Sequence, residues 1–293
     1  MAASLKQRLG PVGVWMNVPA RVPLEELRDA ARAVEELGYG AFWYAETPLT
    51  REALVQASLM LAATERLVFA TGITSIYSRD AIALHAGAAA IEEAFPGRFV
   101  VGLGVSHAPA VESRGHDYGR PVATMRRYLD ALDERGAEGS PPRVLAALRR
   151  RMLELARDRA AGAHPYFVPV EHTARARAAL GEGPLLAPEV TVVVEPDADR
   201  VRERAHRFMK RYLALPNYRN NLLELGYGED DLAPDAPSDR VLDDMVAWGE
   251  ADAVAARVRA HHEAGADHVC VQALADGPAG AVEQLRALAP LLL

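Results

Sequence analysis

The 293-residue chain has one cysteine, Cys270, which excludes an internal disulfide and any zinc site built on several thiolates. Lysine is nearly absent too: Lys6 and Lys210 are the only two among 33 basic side chains, so the cations are almost all arginine. Positive charge is not in excess, because 40 acidic residues outnumber the basic ones and leave a net charge of −7. That balance argues against a general nucleic-acid binder, whose footprint is basic. No run reaches the ~18 apolar residues of a membrane span. The opening MAASLKQRLG lacks the apolar centre of a signal peptide. The phosphate-loop signature, the Gly-x-Ser-x-Gly elbow and His-Glu-x-x-His are all missing, so no metal site is expected. The adjacent His261 and His262 point in different directions on a helix and do not make a metal pair. These absences leave a cofactor enzyme or a binding protein, expected in a reducing cytoplasmic compartment.

What is present is alternation. Short apolar or β-branched runs at 12–16, 41–44, 67–70, 99–103, 144–148, 164–168, 190–194 and 269–272 read as strands. Segments of helical period separate most of them, at 24–37, 51–63, 80–94, 121–135, 150–160, 172–180 and 197–214, with a closing helix at 279–289. Eight strand–helix units predict a (β/α)8 TIM barrel, an α/β fold whose strands are covered on both faces. The rival is a doubly wound open sheet. Residues 1–293 are expected to form a single domain. Two long irregular stretches, a mouth loop at 105–120 and a Pro/Asp/Gly-rich insertion at 216–240, are expected at the C-terminal face, where barrel active sites lie.

Gly102-Leu103-Gly104-Val105-Ser106-His107 begins like a dinucleotide fingerprint but has His where the third Gly belongs. Two glycines permitting a tight strand exit explain it, with close ligand approach as a compatible role. The stretch Phe69-Ala70-Thr71-Gly72-Ile73-Thr74-Ser75-Ile76-Tyr77-Ser78-Arg79-Asp80 carries more. With Gly97-Arg98-Phe99 running into Gly102-Leu103-Gly104-Val105, with 37–46, and with Gly162-Ala163-His164-Pro165-Tyr166, it resembles the bacterial luciferase-like superfamily, and within it the coenzyme F420-dependent oxidoreductases. The order of these motifs extends over nearly the whole chain.

The resemblance implies a cofactor at the C-terminal mouth, coenzyme F420 (a deazaflavin) or alternatively FMN. It implies hydride transfer to or from a small-molecule substrate. The alternatives are an FMN-dependent monooxygenase and a non-catalytic barrel acting as a binding subunit. Relatives are often dimers, so a homodimer is expected. The resemblance places a non-prolyl cis bond at Gly72–Ile73, for which a trans bulge is the alternative. It makes Gly72, Ile73, Thr74, Gly104, Val105 and Ser106 cofactor contacts. Glu46, at the end of the second strand, and His107, after the fourth, become proton-handling candidates. Thr47 stands where some relatives have a catalytic His. Trp15, Met16, Tyr77 and Gln272 would line the substrate pocket. Arg149, Arg150 and Arg151 replace the Gly-Pro-Arg of relatives at a helix start, and with Thr173, Arg175 and Arg177 they form the expected anion site.

Overall fold

A computed structural model describes residues 4–136 and 139–293. The strands are β1 (Val12–Trp15), β2 (Ala41–Ala45), β3 (Val68–Ser75), β4 (Phe99–Gly104), β5 (Arg143–Leu145), β6 (Gly162–Ala163), β7 (Leu185–Leu186), β8 (Glu189–Val194), β9 (Val246–Gly249) and β10 (Val269–Ala273). The helices are α1 (Leu5–Leu9), α2 (Leu24–Glu36), α3 (Ala53–Leu61), α4 (Ala81–Ala94), α5 (Ala108–Glu112), α6 (Pro121–Asp133) and α7 (Arg150–Arg159). They continue as α8 (Val170–Leu180), α9 (Ala198–Leu213), α10 (Pro216–Glu224), α11 (Asp239–Met245), α12 (Ala251–Glu263) and α13 (Gly277–Leu292).

All ten strands lie in one sheet with the order β7-β6-β5-β4-β3-β2-β1-β10-β8-β9, and its strand ladders are parallel. β7 stands at one end of that order and β8 next to the other, yet only Ala187 and Pro188 separate them in the chain. The sheet therefore curls strongly. No ladder pairs the edge strands β7 and β9; the chain and single backbone bonds, such as Asp267 N to Leu186 O and Glu189 N to Pro165 O at 2.9 Å, join its two sides. The regular closed eight-strand barrel read from the sequence is corrected to this curled ten-strand sheet. Pro188 supplies one reason, since it has no N–H and interrupts the strand at 185–194.

Other expectations also shift. The run at 164–168 is not a strand: pairing stops at Ala163, Pro165 lacks a donor, and Phe167 has φ +56°. β9 went unread because its four residues follow directly on α11. The 216–240 insertion contains α10, which Pro216 opens at a first-turn position, and the start of α11. The 105–120 loop contains α5.

Strand alternation sorts the side chains into two cores. Val12, Val14, Phe42, Tyr44, Phe69, Phe99, Val101 and Leu103 pack outward against the helices. Trp15, Ala41, Trp43, Ala45, Ala70, Val100 and Val144 pack inside the curl, and buried residues of α9, α10 and α11 extend that inner cluster.

β3 carries one residue too many for its neighbours. Tyr44 and Ala45 of β2 pair with Thr71 and Ile73, so Gly72 is the extra residue of a bulge. On the other side, β3 advances from Ala70 to Thr74 while β4 advances from Val100 to Leu103. No peptide bond among the described residues is cis, so the expected cis bond at Gly72–Ile73 is corrected to a trans bulge. The Thr71 hydroxyl takes over the broken ladder, accepting from Gly102 N at 2.7 Å and donating to Gly102 O at 3.1 Å. A Cβ on Gly102 would lie 1.6 Å from Thr71 O, so only glycine fits. Gly102→Ala is expected to destabilise the fold by about 3 kcal/mol, the upper range for overpacking. Urea unfolding of wild type and variant checks this; equal midpoints would contradict the close approach.

Candidate active site

The strand C-termini converge on a mouth. Trp15 ends β1 and is buried against the inner cluster, where its ring lies 4.9 Å from that of Tyr166. Met16 packs with the outer core, which corrects its expected place in the pocket wall. Gly72 floors the site. A Cβ there would meet His164 Nε2 at 2.9 Å and Trp15 Nε1 at 3.1 Å. Those two buried nitrogens have no hydrogen-bond partner among the described residues. His164 Nδ1 donates to Ala187 O at 2.7 Å, so its Nε2 carries the lone pair. The indole N–H and the imidazole lone pair are thus complementary, and both flank Gly72.

Ile73 is half buried at the inner cluster. Thr74 turns its hydroxyl to Thr71 Oγ1 at 2.9 Å, so it is not free for a ligand. A Cβ on Gly104 would lie 2.6 Å from Ile73 Cγ2, so the exit of β4 is held close to the bulge. Val105 and Ser106 follow, both half buried, with Ser106 at φ +56°. Tyr77 ties down the 105–120 loop: its Oη donates to Tyr118 O at 2.6 Å, and Tyr118 Oη donates to Ser106 O at 3.3 Å.

Glu46 and His107 have different environments. Glu46 is buried and accepts from Arg79 at both oxygens, 3.1 Å from Nη1 and 2.5 Å from Nη2, and also from Ser75 N at 3.0 Å. Both oxygens are engaged, so the carboxylate fixes β2 to the β3 exit. Glu52 shares the same guanidinium. His107 caps α5 and donates from Nδ1 to Asn217 Oδ1 at 3.1 Å, which ties the mouth loop to α10. Burial lowers its pKa, so it is neutral near pH 7 with a lone pair on Nε2.

The expected anion site assembles only in part. Arg149 precedes α7 and pairs with the Glu224 carboxylate, while Arg175 Nη1 donates to Glu224 O at 3.0 Å. Arg150 pairs with Glu154 at 2.8 Å, and Arg151 is exposed. Thr173 does not belong to the site: its side chain is buried and bonds His261 Nδ1 at 2.8 Å. Arg177 is tied to Asp267 at 2.6 Å.

Sequence reading missed the cover of the mouth. Tyr166 and Phe167 follow β6, Phe208 and Tyr212 come from α9, and Tyr218 comes from α10. Ring centroids are 5.2 Å apart for Tyr166 and Tyr212, 5.3 Å for Tyr212 and Tyr218, and 5.1 Å for Phe167 and Tyr212. The apolar face of 197–214 was the available signal. A separate cavity of about 690 Å³ lies toward the N-terminal ends of β5 and β6, among Leu84, Val101, Leu132, Arg143 and Arg159. Its charges neutralise one another, with Arg143 on Asp133 at 2.6 Å and Arg159 on Asp130 at 2.8 Å. At the mouth, by contrast, Trp15 Nε1 and His164 Nε2 are two buried nitrogens without a partner on either side of one glycine, which makes the mouth the functional candidate.

Two predictions follow from these buried groups. Arg79→Leu would leave Glu46 buried beside no cation and is expected to cost about 3–5 kcal/mol in urea unfolding. A loss under about 1 kcal/mol would mean that the pair does not hold the mouth. The second concerns pH. Burial depresses His164 and His268 to about 4 and His261 to about 3, from an ordinary 6.5, so the fold loses stability as pH falls below 6.5. Burial raises Glu189 from 4.5 to about 7, so the fold takes up this proton first and gains stability as pH falls from 7 to 4.5. Glu189→Gln removes that opposing gain. Its acid-side loss of stability between about pH 7 and about pH 4.5 should exceed the wild-type loss by about 3 kcal/mol. Parallel stability–pH curves would contradict this.

Known proteins share this architecture. The sequence profile of the family described as luciferase-like monooxygenase matches residues 9–138 and 132–268. A Mycobacterium tuberculosis protein named as a coenzyme F420-dependent oxidoreductase is 26% identical over 177 residues, 60% of this chain and 49% of the relative. The match thus spans about half the length of that curated relative. An F420-dependent secondary alcohol dehydrogenase, solved with an F420-acetone adduct, superposes with a TM-score of 0.76 at 13% identity, covering 97% of this chain and 99% of that one. The oxygenating constituent of 3,6-diketocamphane monooxygenase from Pseudomonas putida, solved with FMN, superposes at 0.73 with 17% identity, covering 97% and 99%. The two structural likenesses show the fold; the profile match, which extends over most of the chain, shows that this protein belongs to the luciferase-like monooxygenase family, whose members are F420- or flavin-dependent oxidoreductases and monooxygenases.

Proposed function

We propose that this protein is an oxidoreductase that transfers a hydride between coenzyme F420 and a small organic substrate at the mouth of the curled sheet. The observation that carries the reading is the floor of the site. Gly72, which has no side chain, brings the backbone of the bulge close to an unpartnered indole N–H and an unpartnered imidazole nitrogen. A flat heteroaromatic ring edged with donors and acceptors suits such a floor, and Trp15 and Tyr166 supply aromatic walls. The arginines beside α7 support the same reading, since Arg149 already pairs with an anionic group of the chain itself, the Glu224 carboxylate, and Arg175 Nη1 reaches the backbone carbonyl of the same residue. The named activity of the M. tuberculosis relative favours the deazaflavin.

When bound, a deazaflavin supplies two-electron hydride chemistry; FMN, the alternative, also supports oxygen activation. The protein's part is orientation, exclusion of water and movement of one proton. Gly72, Ile73 and the Gly104–Ser106 exit would hold the ring from below, and Tyr166, Tyr212 and Tyr218 would cover it. Of the two proton-handling candidates, His107 has the free nitrogen, because Nδ1 is engaged by Asn217 and Nε2 retains its lone pair. Glu46 positions the β3 exit through Arg79.

Fluorescence and calorimetric titration of the purified protein with F420 and with FMN is the test. Micromolar binding of F420 alone is expected. Binding of FMN alone selects the monooxygenase reading, and binding of neither selects a non-catalytic role. Gly72→Ala should weaken binding at least about tenfold, the size of one lost close contact or hydrogen bond, with near-ultraviolet circular dichroism as the folding control because the new Cβ would lie 2.9 Å from His164 Nε2. Arg149→Ala with Arg175→Ala should weaken binding and flatten its salt dependence. Unchanged affinity in both variants would refute the placement.

A further inference from the structure

Gln272 stands on the interior side of β10. Residues 270 and 272 share a strand face, and Cys270 Sγ lies 3.8 Å from His164 Nδ1 inside the curl. The Gln272 side chain therefore enters the mouth from the strand opposite the Gly72 bulge. Its Oε1 accepts from Tyr166 Oη at 2.8 Å. Tyr166 Oη lies 2.9 Å from Tyr212 Oη, and Arg211 Nη2 donates to Tyr212 Oη at 3.2 Å.

The direction of this chain is determined by donor counting. A guanidinium only donates, and each phenol has one proton. The Tyr166 proton goes to Gln272, so Tyr212 donates to Tyr166 and accepts from Arg211. Protons thus point from Arg211 through Tyr212 and Tyr166 to Gln272, each used once. The opposite amide orientation would put Gln272 Nε2 on Tyr166 and turn the Tyr166 proton to Tyr212. The Tyr212 proton would then lack an acceptor in a buried setting, which is costly. Burial pushes the Tyr166 phenol pKa well up, so its proton stays in place. Tyr166 and Tyr212 are buried, so the bond between them is strengthened by the low local dielectric.

One consequence is left at the end of the relay. With Oε1 held by Tyr166, the two N–H bonds of Gln272 Nε2 have no partner among the described residues. We propose that Tyr166 is a positioning residue, held by Tyr212 and Arg211, that fixes Gln272 as a hydrogen-bond donor to an acceptor oxygen of the ring in the mouth. The carbonyl edge of a pyrimidinedione, which flavins and deazaflavins share, belongs to this class; a hydroxyl or ammonium donor does not. The inference rests on the function proposed above.

Wild type, Tyr166→Phe, Tyr212→Phe and Gln272→Glu are to be titrated with F420 and FMN, with near-ultraviolet circular dichroism as the folding control. Tyr166→Phe should weaken binding of the wild-type cofactor about fivefold at all pH values, and Tyr212→Phe by less in the same direction. Gln272→Glu should weaken it about tenfold or more near pH 8 and recover towards about pH 5, because a protonated carboxyl donates again where a carboxylate cannot. A structural role alone gives no such recovery. Wild-type affinity in Tyr166→Phe and Gln272→Glu, or a loss in Gln272→Glu that ignores pH, overturns the relay and leaves the proposed function intact. A wild-type protein that binds neither cofactor overturns the proposed function and this inference with it.

Discussion

Trp43 stacks on His164 with ring centroids 4.8 Å apart, and the two rings fill the interior of the curl from different strands. Interiors are close-packed, so strands facing that volume have little room for side chains. A Cβ on Gly13 would lie 2.5 Å from His268 Nε2, and one on Gly72 would lie 2.9 Å from His164 Nε2. The imidazoles of His268, before β10, and of His164, after β6, thus require glycine on β1 and β3. The Trp43 indole N–H donates to His268 Nε2 at 3.0 Å, and His268 Nδ1 donates to Gly10 O at 2.7 Å, so the stack is also anchored polar group by polar group. His164 is left with one nitrogen lacking a partner at the level of the mouth.

The mouth follows from that packing. The bulge at Gly72 redirects the end of β3, Thr71 mends the ladder, and Arg79 reaches back to Glu46 across β2. These contacts belong to the scaffold and leave the ring floor free of charge. The cover comes from a different part of the chain: α9 and α10 bring Tyr212 and Tyr218 against Tyr166, while Asn217 and Glu224 hold α10 to His107 and Arg149. Separating floor from cover in this way suits a site that must admit a ligand and then exclude water. The surface pair of Glu224 with Arg149 is half exposed and contributes little to stability, so a bound anion competes for Arg149 at small cost.

Much of this was legible in the sequence. Strands such as β1, β2, β4 and β10 are rich in apolar and β-branched residues and were placed within about a residue or two, the usual boundary scatter. The motif 69–80 marked the bulge and contained Arg79. What was lost has physical causes. β6, β7 and β9 are two to four residues long, below the length at which periodicity speaks. Pro165 cuts the run read at 164–168, and β7 lies before the run read at 190–194. Thr173 was grouped with arginines by proximity in sequence, but on α8 its face turns to His261. Glu46 was read as an acid because sequence does not say that both its oxygens meet one guanidinium. The aromatic cover joins residues about 50 positions apart, Tyr166 and Tyr218 among them, and no local pattern announces such a pairing.

The central claim is that a planar redox cofactor lies on the Gly72 bulge beneath the tyrosine cover. A crystal structure of the protein grown with F420, and a second grown with FMN, tests it most directly. The account predicts ring density against Gly72, within hydrogen-bonding reach of Trp15 Nε1, His164 Nε2 or Gln272 Nε2. Ring density elsewhere, such as the cavity beside Arg143 and Arg159, or no ring density at the Gly72 bulge at saturating cofactor, would contradict it.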